Sequence, residues 1–249
     1  MTTVGATQLD WRRVALLTAT GLLLAFTAFE LWIAFTSHNW AAALDGDRQI
    51  YAEAAQRWMR GDGFYLPRQL AGPYWTEVGD VLYPPTTLYV FLPLSFVPVL
   101  WYLIPIGVLL WLVSGWQPAM WAWPLMAASL AYPESLALIR SGNPDLWVLV
   151  AVAGGLRWGW PGALVLLKPS VLPVALVGIK TRGWWLGLGL LVLLTLPLLP
   201  MIQDWLHVVT DSRGFGGIGY SLDDIPLLTL PLWAWLARRS PGSGDFRAR

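Results

Sequence analysis

Runs of apolar residues long enough to cross a lipid bilayer recur along most of the chain. They lie near residues 14–36, 82–98, 99–115, 118–139, 145–160, 161–179, 183–202 and 225–237. A helix needs about 20 such residues to span the hydrocarbon core. Lipid offers backbone N–H and C=O groups no water, so a chain of this kind folds into helices that satisfy those groups internally. Charge is correspondingly scarce. Only 12% of the 249 residues are Asp, Glu, Lys or Arg and 56% are hydrophobic, whereas about a quarter of a soluble domain is charged. Mean hydropathy is +0.54. The sequence predicts an all-α, polytopic transmembrane helix bundle of about eight spans, with a single domain over 1–239 and a short disordered tail over 240–249.

Several function classes are excluded at once. There is no cysteine, which removes disulfide scaffolds, thiolate metal sites and cysteine nucleophiles. A net charge of +1 gives nucleic acid no electrostatic footprint. The first span is too long for a cleaved signal peptide and lacks a small-residue cleavage site. No inverted repeat of the transporter kind is visible.

Orientation follows from the basic residues. Arg12 and Arg13 precede the first span, Lys180 and Arg182 separate the sixth from the seventh, and Arg238 and Arg239 follow the last. Alternating spans place all three clusters, and both termini, on the cytoplasmic side. Two polar loops, 37–81 and 203–224, then share the outer face. Both are acidic: the first holds six Asp/Glu against four Arg, the second four Asp against one Arg.

Within the first loop, residues 47–60 lack proline and glycine and end at Gly61. Ile50, Tyr51, Ala54, Ala55, Trp58 and Met59 form one apolar stripe at helical spacing. The pattern predicts an amphipathic helix in the interface plane, anchored by Tyr51 and Trp58. Asp45 or Asp47 at its start suits either an N-cap or a general base facing the outer surface. After it, Tyr83-Pro84-Pro85 reads as the entry to a helix. Trp75 and Tyr74, beside Glu77, are aromatic faces able to support a sugar ring. Most of the other tryptophans, 18 in all, fall near expected interfaces, where membrane anchoring accounts for them.

Charged groups inside apolar spans point to function by default. Lys168 stands mid-span in Leu-Leu-Lys-Pro-Ser, and two readings compete. It pairs with an Asp or Glu of a neighbouring helix or snorkels to the interface, or it meets a phosphate in a pocket opened by Pro169 and Pro173. Arg140, Asn143 and Asp145 cluster at a span boundary that strict alternation turns to the cytoplasm. Glu134 reads as a buried carboxylate and a partner for Arg140, and Glu30 as a structural partner of another helix. In the second loop the glycine-rich Gly214–Tyr220 segment reads as a lid or a flexible connector. His207, Asp211, Asp223 and Asp224 match no specific metal spacing, so no metal or other cofactor is expected.

The order of these pieces resembles the integral-membrane glycosyltransferases of the GT-C class, closest to the family-87 type. The residues that carry it are Asp47-x-x-x-Tyr51, Gly61-Asp-Gly-Phe-Tyr65, Tyr83-Pro-Pro, Ser141-Gly-Asn-Pro-Asp145 and Leu167-Lys168-Pro169-Ser170, spread over roughly residues 10–200. That family includes polyprenyl-phosphate-mannose-dependent α-mannosyltransferases of bacterial envelopes. The resemblance implies transfer of mannose or another hexose, with inversion, from a polyprenyl-phosphate donor to a glycan or lipid acceptor at the outer face of a bacterial cytoplasmic membrane. It implies Asp47 as the base, Lys168 or Arg140 near the lipid phosphate, and Asn143, Tyr51, Tyr83 and Trp75 as further substrate-binding residues. The chain departs from the family in two ways. It lacks the spans that usually follow the region matching 183–237, and Gly-Asn-Pro-Asp stands where the family usually has Gly-Gln-x-Asn. A second reading is therefore a noncatalytic integral subunit of a larger complex, with a protein partner or another copy completing the fold.

Overall fold

The computed structural model describes residues 10–36, 45–214 and 222–239. The expected tail 240–249 and most of the glycine-rich segment lie outside the described residues. Twelve helices carry the described chain: α1 (Trp11–Thr36), α2 (Gly46–Met59), α3 (Pro67–Leu70), α4 (Leu88–Phe96), α5 (Leu100–Trp116), α6 (Ala122–Ala131), α7 (Pro133–Ser141), α8 (Asp145–Trp158), α9 (Leu172–Ala175), α10 (Arg182–Thr195), α11 (Leu199–Asp211) and α12 (Ile225–Leu236). Tighter 3₁₀ turns occupy Pro85–Thr87, Trp160–Leu167, Pro169–Val171 and Leu196–Leu198. The described chain is all-α apart from one two-residue parallel pairing of β1 (Tyr74–Trp75) with β2 (Ser212–Arg213).

Two helical stretches are long and apolar enough to cross a membrane, Trp11–Ile33 and Arg182–Asp211. Counting each of two sharply bent pairs as one span raises this to four, against the eight expected. Proline and glycine account for the difference. The runs near 82–98 and 99–115 form a single pair, α4 and α5, bent by 111°. The bend falls at Val97, whose φ of −133° and ψ of 76° reflect the exclusion of helical geometry just before Pro98. The run near 118–139 breaks at Tyr132-Pro133 into α6 and α7. A 108° bend then joins α7 to α8 across Gly142-Asn143-Pro144. The run near 161–179 forms no long helix: Pro161, Pro169 and Pro173 lead it through 3₁₀ turns into the single turn of α9, since each proline removes a backbone donor.

α1 lies against α6 and α7, while Leu17, Leu22, Phe26, Phe29 and Trp32 remain exposed. Exposed apolar rows of this kind are what a lipid-facing helix carries. The remaining helices close around two hydrophobic cores. One gathers the end of α5 with α6, α8, the turns over 160–175 and α12, around Leu112, Val152, Val165, Leu227 and Leu228. The other gathers the first loop, α4 and the start of α5 around Tyr51, Phe64, Tyr65, Phe91 and Trp101.

The amphipathic helix exists as α2, with one change. Its stripe is covered by protein: Ala54 and Ala55 are fully buried and Tyr51 is 8% exposed. The Tyr51 ring stacks on Phe91 at 4.8 Å and meets Tyr83 edge-on at 5.1 Å. Tyr51 therefore anchors the helix to α4, while Met59, at the end of the stripe, is exposed. The two polar loops meet. β1 pairs with β2, Tyr74 Oη donates to Val208 O at 3.0 Å, and Trp205 Nε1 donates to Leu82 O at 3.0 Å.

Candidate functional site

The seam between the two cores is polar, and it is built where the start of α2 meets the bend between α7 and α8. Asp45 N donates to Arg140 O at 2.8 Å, which fastens the loop to the last turn of α7. Asp45 adopts φ +71° and makes no side-chain cap bond to α2. Its carboxylate instead takes both Nε and Nη2 of Arg48 and accepts Tyr102 Oη at 3.0 Å. Arg48 is only 7% exposed, so this two-pronged pair neutralises a buried cation.

Asp47 sits one turn before Tyr51, in the first turn of α2, where helix dipoles favour an acid. Nor does it cap the helix. Its Oδ2 accepts from Ser141 Oγ and from Asn143 Nδ2, each at 2.8 Å. Asn143 is held at its other end as well, because Asp145 N donates to Asn143 Oδ1 at 3.1 Å. The side-chain amide is thereby fixed in orientation, and with it one oxygen of Asp47. Asp47 remains half-buried, which leaves a carboxylate braced on one side and reachable on the other.

The bend requires Gly142. Its φ is +68°, and a Cβ there would stand 2.6 Å from Tyr102 Oη and 2.9 Å from Arg48 Cβ. Trp101 Nε1 donates to Gly142 O at 2.9 Å, pinning the bend to α5. Strict alternation of spans turned residues 140–145 to the cytoplasm. The bends at Pro98 and Gly142 break that alternation, and the turn lies against the first polar loop instead.

Lys168 follows the 3₁₀ run Trp160–Leu167 and is 4% exposed. Its Nζ donates to Asp145 Oδ2 at 2.6 Å and to Asp224 Oδ2 at 2.8 Å. This is the paired reading of the lysine, with two partners rather than one. Beside it opens an apolar cavity of about 280 Å³ whose walls include Tyr83, Phe91, Pro144, Trp147, Leu164 and Lys168. Pro144 joins cavity and site, standing next to Asn143 in the bend.

Among the described residues Arg140 makes no ion pair and no side-chain hydrogen bond, and its Nε is buried without a partner. Glu134 does not pair with it. That carboxylate is exposed in the first turn of α7, satisfied by the helix end rather than by a cation. Glu30 is half-buried on α1, without an ion pair among the described residues. Trp75 is 70% exposed on β1, and no described hydrogen bond or ring contact ties it to Asp47. Tyr65 Oη donates to Tyr83 O at 2.9 Å, and burial pushes its phenol up from the usual value, so it stays a donor. His207, Asp211 and Asp223 do not converge: among the described residues no three His, Cys, Asp or Glu stand close enough to hold a metal, and Asp224 is turned to Lys168.

The structure thus brings Asp47, Asn143, Arg140 and Tyr51 to one neighbourhood, with Tyr83 and Lys168 on the adjoining cavity. Sequence reasoning named Asp45 as an alternative to Asp47 but passed over its pairing with Arg48, Arg48 itself, Tyr102 and the site partnership of Asp224. The Asp45-x-x-Arg48 spacing was a usable signal for the first pair. Nothing in the apolar surroundings of Tyr102 marked it. Compared with known proteins, the chain matches no family model, and no curated protein or solved structure is similar to it.

Proposed function

We propose that the chain is an integral-membrane glycosyltransferase of the GT-C kind, which moves a sugar from a polyprenyl-phosphate donor to an acceptor hydroxyl at the outer membrane face. The observation that carries this reading is the Asp47 carboxylate, braced by Ser141 and Asn143 at 2.8 Å each on the bend whose Pro144 walls an apolar cavity. A wet, oriented carboxylate next to a lipid-compatible cavity is what such a transfer needs. The acceptor oxygen forms a bond to C1 of the sugar and its proton passes to Asp47. The bond from C1 to the phosphate oxygen breaks, and its electron pair leaves with the polyprenyl phosphate. General-base assistance of this type contributes typically about 10²–10⁴-fold.

Arg140, whose side chain makes no ion pair or hydrogen bond among the described residues, is the cation assigned to the phosphate. Lys168 is already outnumbered by two carboxylates, so its part is to hold the cavity wall. Tyr51 and Tyr83 form the aromatic floor beside Asp47, and the exposed Trp75 is assigned to the acceptor side. The two long apolar helices support a membrane location, and with the basic clusters they support cytoplasmic termini.

Reconstitution in nanodiscs with a radiolabelled polyprenyl-phosphate hexose tests the reading. Sugar release or transfer by the native chain, lost by at least about 100-fold in Asp47→Asn while lipid binding persists, is the expected result. Equal turnover in Asp47→Asn would remove Asp47 from the mechanism. The enclosure of Lys168 is also what a noncatalytic integral subunit would show. That reading gains if the native chain binds no polyprenyl species and co-purifies with a stoichiometric protein.

A further inference from the structure

Two carboxylates close on one ammonium where Asp145 and Asp224 meet Lys168. All three groups are enclosed, at 0%, 5% and 4% exposure respectively. If every group is ionised, the cluster carries one uncompensated negative charge, which a buried site strongly disfavours.

Among the described residues, the surrounding elements do not supply the missing positive charge. α5, α12 and the Trp160–Leu167 run, all packed against α8, contain no Asp, Glu, Lys, Arg or His. The turns at Pro169–Val171 and α9 contain none either. Arg157 stands at the far end of α8, and Arg182 at the start of α10. On α7, Glu134 and Arg140 make no ion pair with the cluster. One acceptor is visibly idle as well: Asp145 Oδ1 is buried and receives no hydrogen bond.

We propose that Asp145, Lys168 and Asp224 form a proton-binding site in which the two carboxylates share one proton while Lys168 remains an ammonium, making the cluster neutral. The near oxygens of both carboxylates touch the same nitrogen, so the two groups stand close enough for ionisation of one to disfavour ionisation of the other. A metal ion would need several more oxygen ligands, and among the described residues no third acidic or histidine side chain joins these two. The proton belongs to the pair rather than to either residue. Its removal sets Asp145 against Asp224, and so bears on two structures at once. Asp224 begins α12, while the backbone of Asp145 holds Asn143 and through it Asp47. This inference does not depend on sugar transfer.

Infrared spectroscopy of the full chain in nanodiscs, with and without ¹³C-labelled aspartate, reads the proton directly. At neutral pH the native protein should show the C=O stretch of an un-ionised aspartic acid. The band should vanish in Asp224→Asn and in Asp145→Asn, each of which leaves one carboxylate balanced by Lys168. In Lys168→Met, where neither carboxylate has a counter-ion, it should roughly double. Circular dichroism establishes that each variant is folded, and either Asn variant suffices. Absence of the band from the native protein, or its persistence in a folded Asn variant, would overturn the proposal. A band that appears only when sodium is withdrawn would overturn it too, in favour of a metal ion.

Discussion

Asn143 donates from Nδ2 to Oδ2 of Asp47 over 2.8 Å, joining residues 96 apart in the sequence. The bond crosses from the bend between α7 and α8 to the first turn of α2. It makes the carboxylate part of the bundle instead of part of a loop.

That relationship gives the first prediction. A hydrogen bond to a charged group contributes about 1.5–3 kcal/mol, so Asn143→Ala should lower turnover by roughly ten-fold or more. Ser141→Ala, which removes the other donor to the same oxygen, should have an effect of similar size. Because both act on one atom, the double variant should fall short of the product of the single losses. Single-turnover kinetics on the three variants checks this, and full additivity would mean that the donors act independently.

Gly142 should tolerate no side chain. At φ +68° and with Tyr102 Oη 2.6 Å from the position of a Cβ, Gly142→Ala should cost about 1–3 kcal/mol, read as a lowered Tm by intrinsic tryptophan fluorescence. Combining it with Tyr102→Phe removes the nearest clashing atom, so the loss should be smaller in that background. An equal loss in both backgrounds would place the strain in the backbone alone.

Close approach of α10 to the Trp160–Leu167 run sets a paired test. A Cβ on Gly187 would overlap the Trp160 carbonyl oxygen, whereas one on Gly189, half a turn away, meets nothing within 4 Å. Gly187→Ala should therefore destabilise the protein, and Gly189→Ala should leave Tm unchanged or raise it slightly, since alanine is the better helix former by about 1 kcal/mol. Thermal unfolding of the two variants side by side decides it.

Lys168 should be replaceable only together with its partners. Lys168→Met strands two buried carboxylates, and breaking a buried ion pair from one side costs about 3–5 kcal/mol. Adding Asp145→Asn and Asp224→Asn should restore much of the yield of folded protein in detergent, measured by size-exclusion chromatography. No recovery in the triple variant would show that the ammonium is needed for packing rather than for charge balance.

Filling the cavity should separate lipid binding from folding. Ala151 lies on its wall, and Ala151→Phe should occupy part of the 280 Å³ or so without touching the Asp47 cluster. Native mass spectrometry should then show loss of any co-purified polyprenyl lipid at unchanged Tm. Retention of the lipid would put its chain elsewhere.

Much of this was written in the sequence at short range. Helical class follows from the apolar runs, since lipid or a buried core leaves the backbone no partner but itself. α1 is a long apolar run interrupted after Arg13 by a single charge, Glu30, and α2 announces itself by the spacing of Tyr51, Ala54 and Ala55. The placement of Arg12, Lys180 and Arg238 led to the expectation that the two polar loops share a side; the structure pairs Tyr74 of one with Ser212 of the other. Asn143, Asp145 and Lys168 stood out singly because polar groups are costly among so many apolar neighbours, and Asp47 by its place at the start of the amphipathic helix.

Tertiary structure alone decided how those groups combine. An apolar run has the same composition whether it continues straight or folds back, so the bends at Val97-Pro98 and Gly142 were invisible in hydropathy, and with them the number of spans. The Gly142 bend puts Ser141 and Asn143 against Asp47. Packing of α12 on α8 brings Asp224 to Lys168, and packing of α2 on α4 covers Tyr51 with Phe91. Local sequence sets what each segment can bury and which backbone angles it can adopt. Which carboxylate meets which donor depends on packing between segments far apart along the chain, where no spacing rule reaches.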